Sequence, residues 1–274
     1  MSKPKIPKFP PSFMLLQQEG YLISSCLSVG LTELRAAHVH NKGAFYSALF
    51  NLSIGLERLL KAIVIIDFML NNSLAVPNKK QLQGYGHNII DLYDTCEAIG
   101  IGRNCPLKSR ATLHSIDQDL LLLLSDFARV TRYHNLDALS ASQAGSDPLA
   151  GWSAILPQIL ESDVPKTKKK RILAKAQSVA GAIDDITFTL VHGLDQQQLT
   201  TEEALALPEL HEQAARFAVL RLVNIFSEIR DLLGAVSHKA HGLGRAVPPF
   251  PQMHEFLHWL WNDRQYVLKK KRWP

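Results

Sequence analysis

Apolar residues recur at intervals of three and four along most of this chain, and stretches alternating with a period of two are almost absent. That pattern predicts helices throughout and an all-α fold. The clearest run is Leu49, Leu52, Leu56, Leu59 and Ile63, which places one buried stripe on a helix over 44–69. An earlier apolar run predicts a helix over 15–38, with Gly43 marking its stop, preceded by a proline- and lysine-rich extended arm over 1–14.

Gly84, Tyr85, Gly86 and His87 read as a turn into a third helix over 88–99, closed by Gly100 and Gly102. A fourth helix starts at Leu107 or Ser115 and runs to Tyr133. Residues 140–151, rich in Ser, Ala and Gly and containing Asp147-Pro148, read as a loop and an internal boundary. The run Lys166 to Arg171 is a solvated loop or helix start, with a nucleic-acid contact as the alternative. Further helices are predicted over 172–192, over 208–241 with Pro208-Glu209 at the start, and over 252–268 before a basic tail. The expected organisation is an arm (1–14), a helical bundle (15–140), a loop and basic linker (141–171) and a C-terminal helical region (172–274).

Two groups of polar residues interrupt the apolar pattern. On the second helix Ser53, Glu57 and Lys61 follow one another at intervals of four, and apolar neighbours surround Glu57 and Lys61, so a partly buried polar stripe is expected. The other group follows five consecutive leucines, Leu120 to Leu124: Arg129, Arg132, Tyr133, His134 and Asn135. A guanidinium charged at every working pH and an imidazole titrating near neutrality suit binding and cleavage of a phosphodiester. A helix end, where cations meet the negative pole of the dipole and His134 and Asn135 cap the last carbonyls, accounts for the same residues. Arg129 and His134 would point about 140° apart on a straight helix, so they share a target only if the helix kinks or ends between them.

The hydrophobic share of 46% and charged share of 20% describe a globular chain, and the net charge of +5 allows a polyanionic partner without requiring one. Three cysteines at 26, 96 and 105 match neither a disulfide framework nor metal-ligand spacing, so a reducing, cytoplasmic setting is expected. Lys3, Lys5 and Lys8 before Ile23-Ser24-Ser25-Cys26 resemble a lipoprotein leader, but Gln17, Gln18 and Glu19 break its apolar segment; no signal peptide and no membrane span are expected.

The helix AFYSALFNLSIGLERLLKAIVI with Glu57 and Lys61, then Gly86-His87-Asn88-Ile89-Ile90-Asp91-Leu92, then Arg129-x4-His134, together resemble the HEPN superfamily (higher eukaryote and prokaryote nucleotide-binding) over roughly residues 15–140. The resemblance implies an antiparallel helical bundle in which Arg129 and His134 match the catalytic pair and Glu57 the acidic residue of an earlier helix. Arg132, Tyr133, Asn135 and Lys61 would contact phosphate or RNA, and either Arg129 or Arg132 could be the relevant arginine. It further implies a metal-independent endoribonuclease or RNA-binding protein of a bacterial toxin or phage-defence system, without cofactor. A homodimer with RNA and an antitoxin or other defence-system protein as partners is expected. A non-catalytic nucleotide- or protein-binding module is the alternative. A third reading is zinc peptidase: His254-Glu255-x-x-His258 offers two histidines four apart and a general base, with His238 or His241 as the remaining ligand.

Overall fold

The computed structural model describes residues 8–140, 145–243 and 247–274. They form an all-α fold of ten α-helices joined by short 3-10 turns, with two isolated bridges, His38 to Asn41 and His192 to Gln198, as the only strand-like pairing among them. The helices are α1 (Pro11–Ala36), α2 (Lys42–Asn71), α3 (Lys79–Gly84), α4 (Ile89–Gly102), α5 (Ser115–Arg129), α6 (His134–Leu139), α7 (Pro148–Ser162), α8 (Lys166–Ile183), α9 (Thr201–His238) and α10 (Arg264–Lys269).

Helices α1 and α2 pair along their length, and two glycines let them approach closely. A Cβ on Gly30 would lie 2.6 Å from Leu52 Cγ, and one on Gly55 would lie 2.8 Å from Leu27 Cδ2. The stripe predicted on α2 is buried as read: Leu52, Leu56, Leu59 and Ile63 are all at most 1% exposed. Helix α9 lies across α1, α2, α5 and α7, and one hydrophobic cluster extends from Leu16 to Trp273. Phe45 of α2, Trp152 of α7 and His211 of α9 meet in the interior, with ring centroids 5.4 and 5.7 Å from Phe45. Helix α8 rests on α9 through a separate small cluster, Ile172, Ala176, Ala206 and Leu210.

Several boundaries differ from the sequence reading. The arm expected over 1–14 gives way to α1 at Pro11, because proline is preorganised for the first helical position; residues 1–7 lie outside the described residues. Gly43 does not stop the first helix, which ends at Ala36 on the extended Ala37, and instead sits in the first turn of α2. The fourth helix ends at Arg129 rather than Tyr133; Val130 leaves helical geometry and a 3-10 turn, Thr131–Tyr133, leads into α6. The helix expected over 172–192 occupies Lys166–Ile183, so the basic run forms its opening turns. Beyond it Asp184 and Asp185 oppose the negative helix end, and the segment over 187–199 turns back on itself, with Leu199 N donating to Val191 O at 2.8 Å.

Helix α9 begins at Thr201, ahead of the expected start at Pro208. Thr200 and Glu203 form a reciprocal capping box, and Pro208 lies inside the helix. Proline deprives the Ala204 carbonyl of its helical donor, and His40 Nε2 meets that oxygen at 3.3 Å. The final helix expected over 252–268 is divided into a 3-10 turn, Met253–Leu257, and the short α10. Burial explains the break: Trp259 and Leu260 both enter the core, Trp259 Nε1 donates to Ser24 Oγ at 2.8 Å, and Asp263 then caps α10 through Tyr266 N.

Candidate functional site

One face of α2 carries Tyr46, Phe50, Ile54, Glu57 and Lys61, spaced by threes and fours. Its far end opens into a cavity of about 430 Å³ whose wall includes Glu19 and Leu16 of α1, Glu57, Arg58 and Lys61 of α2, His87 of the turn before α4, and Arg132 of the turn after α5. Glu57 is its centre. The side chain is 13% exposed, and Oε1 accepts from Lys61 Nζ at 2.7 Å and lies 3.0 Å from His87 Nδ1. At the rim Arg58 Nη1 pairs with Glu19 Oε2 at 2.6 Å, which raises the Arg58 pKa. Ser53, the other member of the expected stripe, is fully buried and bonds to Phe50 O within the helix.

The turn that presents His87 is fixed from two sides. Gly86 takes a positive φ of 54°, a conformation that favours glycine. Asn88 caps α4 by accepting from Ile90 N at 3.1 Å, and the same Oδ1 accepts from Ser125 Oγ of α5 at 3.0 Å. Ser125 is fully buried at the end of the leucine run, so its hydroxyl ties the turn to α5.

Arg132 approaches the same cavity. Its Nη2 donates to Ala128 O at 3.2 Å, its guanidinium lies 5.6 Å from the Phe50 ring, and its Nε is buried without a partner. Among the described residues no carboxylate forms an ion pair with it, so three cations (Arg58, Lys61, Arg132) against two carboxylates (Glu19, Glu57) leave +1, or +2 with His87 protonated.

Of the residues singled out in the sequence, Glu57, Lys61 and Arg132 come together here. Arg129, at the end of α5, is exposed and does not line the cavity. The helix does end between Arg129 and His134, and His134 Nδ1 lies 2.6 Å from Gly145 O, outside the cavity wall. Asn135 Nδ2 donates to Tyr46 Oη at 3.0 Å, and Tyr133 is 60% exposed. Arg58 and Glu19 are not marked as site residues by the sequence, and His87 stands there only within the glycine turn and the stretch Gly86 to Leu92 that carries part of the resemblance, neither of which gives a hint of a partner on α2.

The His254 and His258 pair does not lie on an α-helical face. His254 packs its ring on Gly234, and His258 Nδ1 lies 2.9 Å from Glu255 O. Among the described residues, no group of three or more His, Cys, Asp or Glu side chains is placed to share a metal ion, and no helix is long and apolar enough to cross a membrane. The chain matches no protein-family model, and no curated protein or solved structure shows a significant match to it.

Proposed function

We propose that this cavity binds the phosphate backbone of RNA and that the chain is a metal-independent endoribonuclease of the HEPN-like kind, acting in a bacterial toxin or phage-defence setting. The observation that carries the reading is the shared Glu57 oxygen, which positions Lys61 and His87 in a concave site also lined by Arg132. In this mechanism Glu57 holds His87 through Nδ1 and leaves Nε2 to take the proton from the RNA 2′-hydroxyl. The freed oxygen attacks its own phosphorus and the 5′-oxygen departs, taking a proton from water. Arg132 and Lys61 stabilise charge developing on the non-bridging oxygens. A homodimer and a neutralising partner protein belong to the same proposal.

The test is digestion of mixed cellular RNA in EDTA by the native chain and by His87→Ala, Arg132→Ala and His134→Ala. The expected result is a loss of ~100-fold or more in His87→Ala, the scale of general acid–base catalysis, with His134→Ala still active. The reverse pattern moves the chemistry to Arg129 and His134. No cleavage by a folded native chain that retains RNA in a binding assay assigns the non-catalytic module instead, a reading favoured by the exposure of Arg129 and the engagement of His134 with Gly145.

A further inference from the structure

The segment that follows α8 carries three of the four most exposed large apolar side chains among the described residues: Ile186 at 82%, Phe188 at 80% and Leu190 at 72%. They alternate with Thr187, Thr189 and Val191, and Thr187 has extended backbone, with φ −128° and ψ 154°. One edge of this strand-like segment is already paired. Leu199 N donates to Val191 O and Gly193 N to Gln197 O, both at 2.8 Å, and Gln198 Nε2 donates to Thr189 O at 2.8 Å. Residues 189, 191 and 193 therefore turn their backbone groups inward. Successive residues of a strand face opposite edges, so Phe188 and Leu190 present theirs outward. Among the described residues no hydrogen bond reaches the N–H or carbonyl of either.

Neither a charge nor a proline lies within residues 186–191, although these are the devices that ordinarily blunt an open edge. Apolar side chains left in such a row mark an interaction surface. The sequence of the segment names the occupant, because it is complementary to itself. Laid antiparallel against a second copy about Phe188, Phe188 meets Phe188, Ile186 meets Leu190, and Asp184 meets His192 at both ends. The apolar side chains of both copies then share one face, and acid lies opposite imidazole. The backbone agrees. Phe188 exchanges both bonds with its counterpart, and the Leu190 N–H meets the Ile186 carbonyl. The neighbouring registers open to the same edge, about Ile186 or Leu190, place Phe188 opposite Asp184 or His192 instead.

We propose that residues 184–192 form a homodimer interface in which this free edge pairs antiparallel with the same segment of a second copy of the chain. The interface gives the homodimer of the RNA reading a surface but uses no residue of the Glu57 cavity, so either can fail alone.

Sedimentation velocity of the full chain from about 1 μM to about 1 mM, the span of affinities open to a small interface, measures the dimer. The expected result is a monomer–dimer equilibrium. It is weakened about tenfold or more by Leu190→Pro, which deletes the N–H that meets Ile186, and by Phe188→Asp, which sets two carboxylates opposite each other. Both side chains are exposed and neither outward N–H serves the single chain, so the variants melt at the native temperature. Asp184→Lys weakens the dimer, and adding His192→Glu restores it. Phe188→Cys gives a cross-linked dimer on mild oxidation that the native chain does not form, since hydrogen-bonded partners lie about 5.5 Å apart between Cα atoms. A native chain that stays monomeric throughout the range overturns the proposal. So does a dimer that survives both Leu190→Pro and Phe188→Asp, or one dissociated by Leu22→Asp on the exposed side of α1.

Discussion

His211 makes the junction between the two halves of the chain sensitive to acid. It is 2% exposed, it faces Phe45 of α2, and Trp152 Nε1 of α7 donates to its Nδ1 at 3.5 Å. Burial, with a smaller contribution from nearby His38, lowers its pKa from 6.5 to about 4. The unfolded chain therefore takes up a proton near pH 6.5, whereas the folded chain resists until about pH 4. Stability is complete above pH 6.5 and falls as pH drops through the window from 6.5 to 4. A depression of roughly 2.5 units corresponds to about 3 kcal/mol over the whole window and about 2 kcal/mol by pH 5. His211→Gln retains an acceptor for the Trp152 indole and removes the titration. Urea unfolding of both proteins at pH 7, 6 and 5 measures the effect. The native chain should lose about 2 kcal/mol more than His211→Gln between pH 7 and 5. Parallel acid profiles would show that His211 is protonated in the folded state and that its burial is not the cause of acid lability.

Other perturbations separate the contributions of packing, pairing and capping. Gly30→Ala drives a Cβ to 2.9 Å from the Leu52 backbone nitrogen as well as onto its side chain, and should cost about 2 kcal/mol after the gain in helix propensity. Gly55→Ala meets only the side-chain atoms of Leu27 and Cys26 and should cost less; thermal melts of the two variants decide the order. Arg221 pairs with Asp117 of α5 at 2.8 Å and with Asp163 after α7 at 2.8 Å, with its side chain 14% exposed. Arg221→Leu leaves both carboxylates without that partner and should cost about 3 kcal/mol in chemical denaturation. Thr200→Ala removes the capping box of α9 and should cost about 1 kcal/mol, with faster amide exchange confined to its first turn.

What the sequence revealed follows the range over which each feature is determined. The buried stripe of α2 was legible because a single helix face encodes it, and the all-α class because no alternating segment competes. Helix ends were harder. Pro208 looked like a start signal, yet Thr200 and Glu203 provide a stronger one, and a histidine 164 residues away meets the carbonyl that proline leaves open. The apparent helix around His254 broke because burying both Trp259 and Leu260 outweighs helix continuity, a choice set by α1 and α9 rather than by local pattern.

The candidate site divides in the same way. Glu57 and Lys61 were visible as a pair four apart, whereas the approach of His87 depends on a turn anchored by Ser125 at the end of a leucine run. Polar residues that close such networks contribute no periodicity of their own, so the pattern of apolar positions cannot reveal them. Arg35 shows the limit most sharply. Nothing near it in the sequence marks it as buried, since its partners lie 177 and 235 residues later. Its lack of a carboxylate becomes visible only once α9 and the C-terminal segment have closed around it. Its burial is set by the two backbone carbonyls that the later elements bring to it, Glu212 O and Lys270 O, and no pattern local to α1 encodes them.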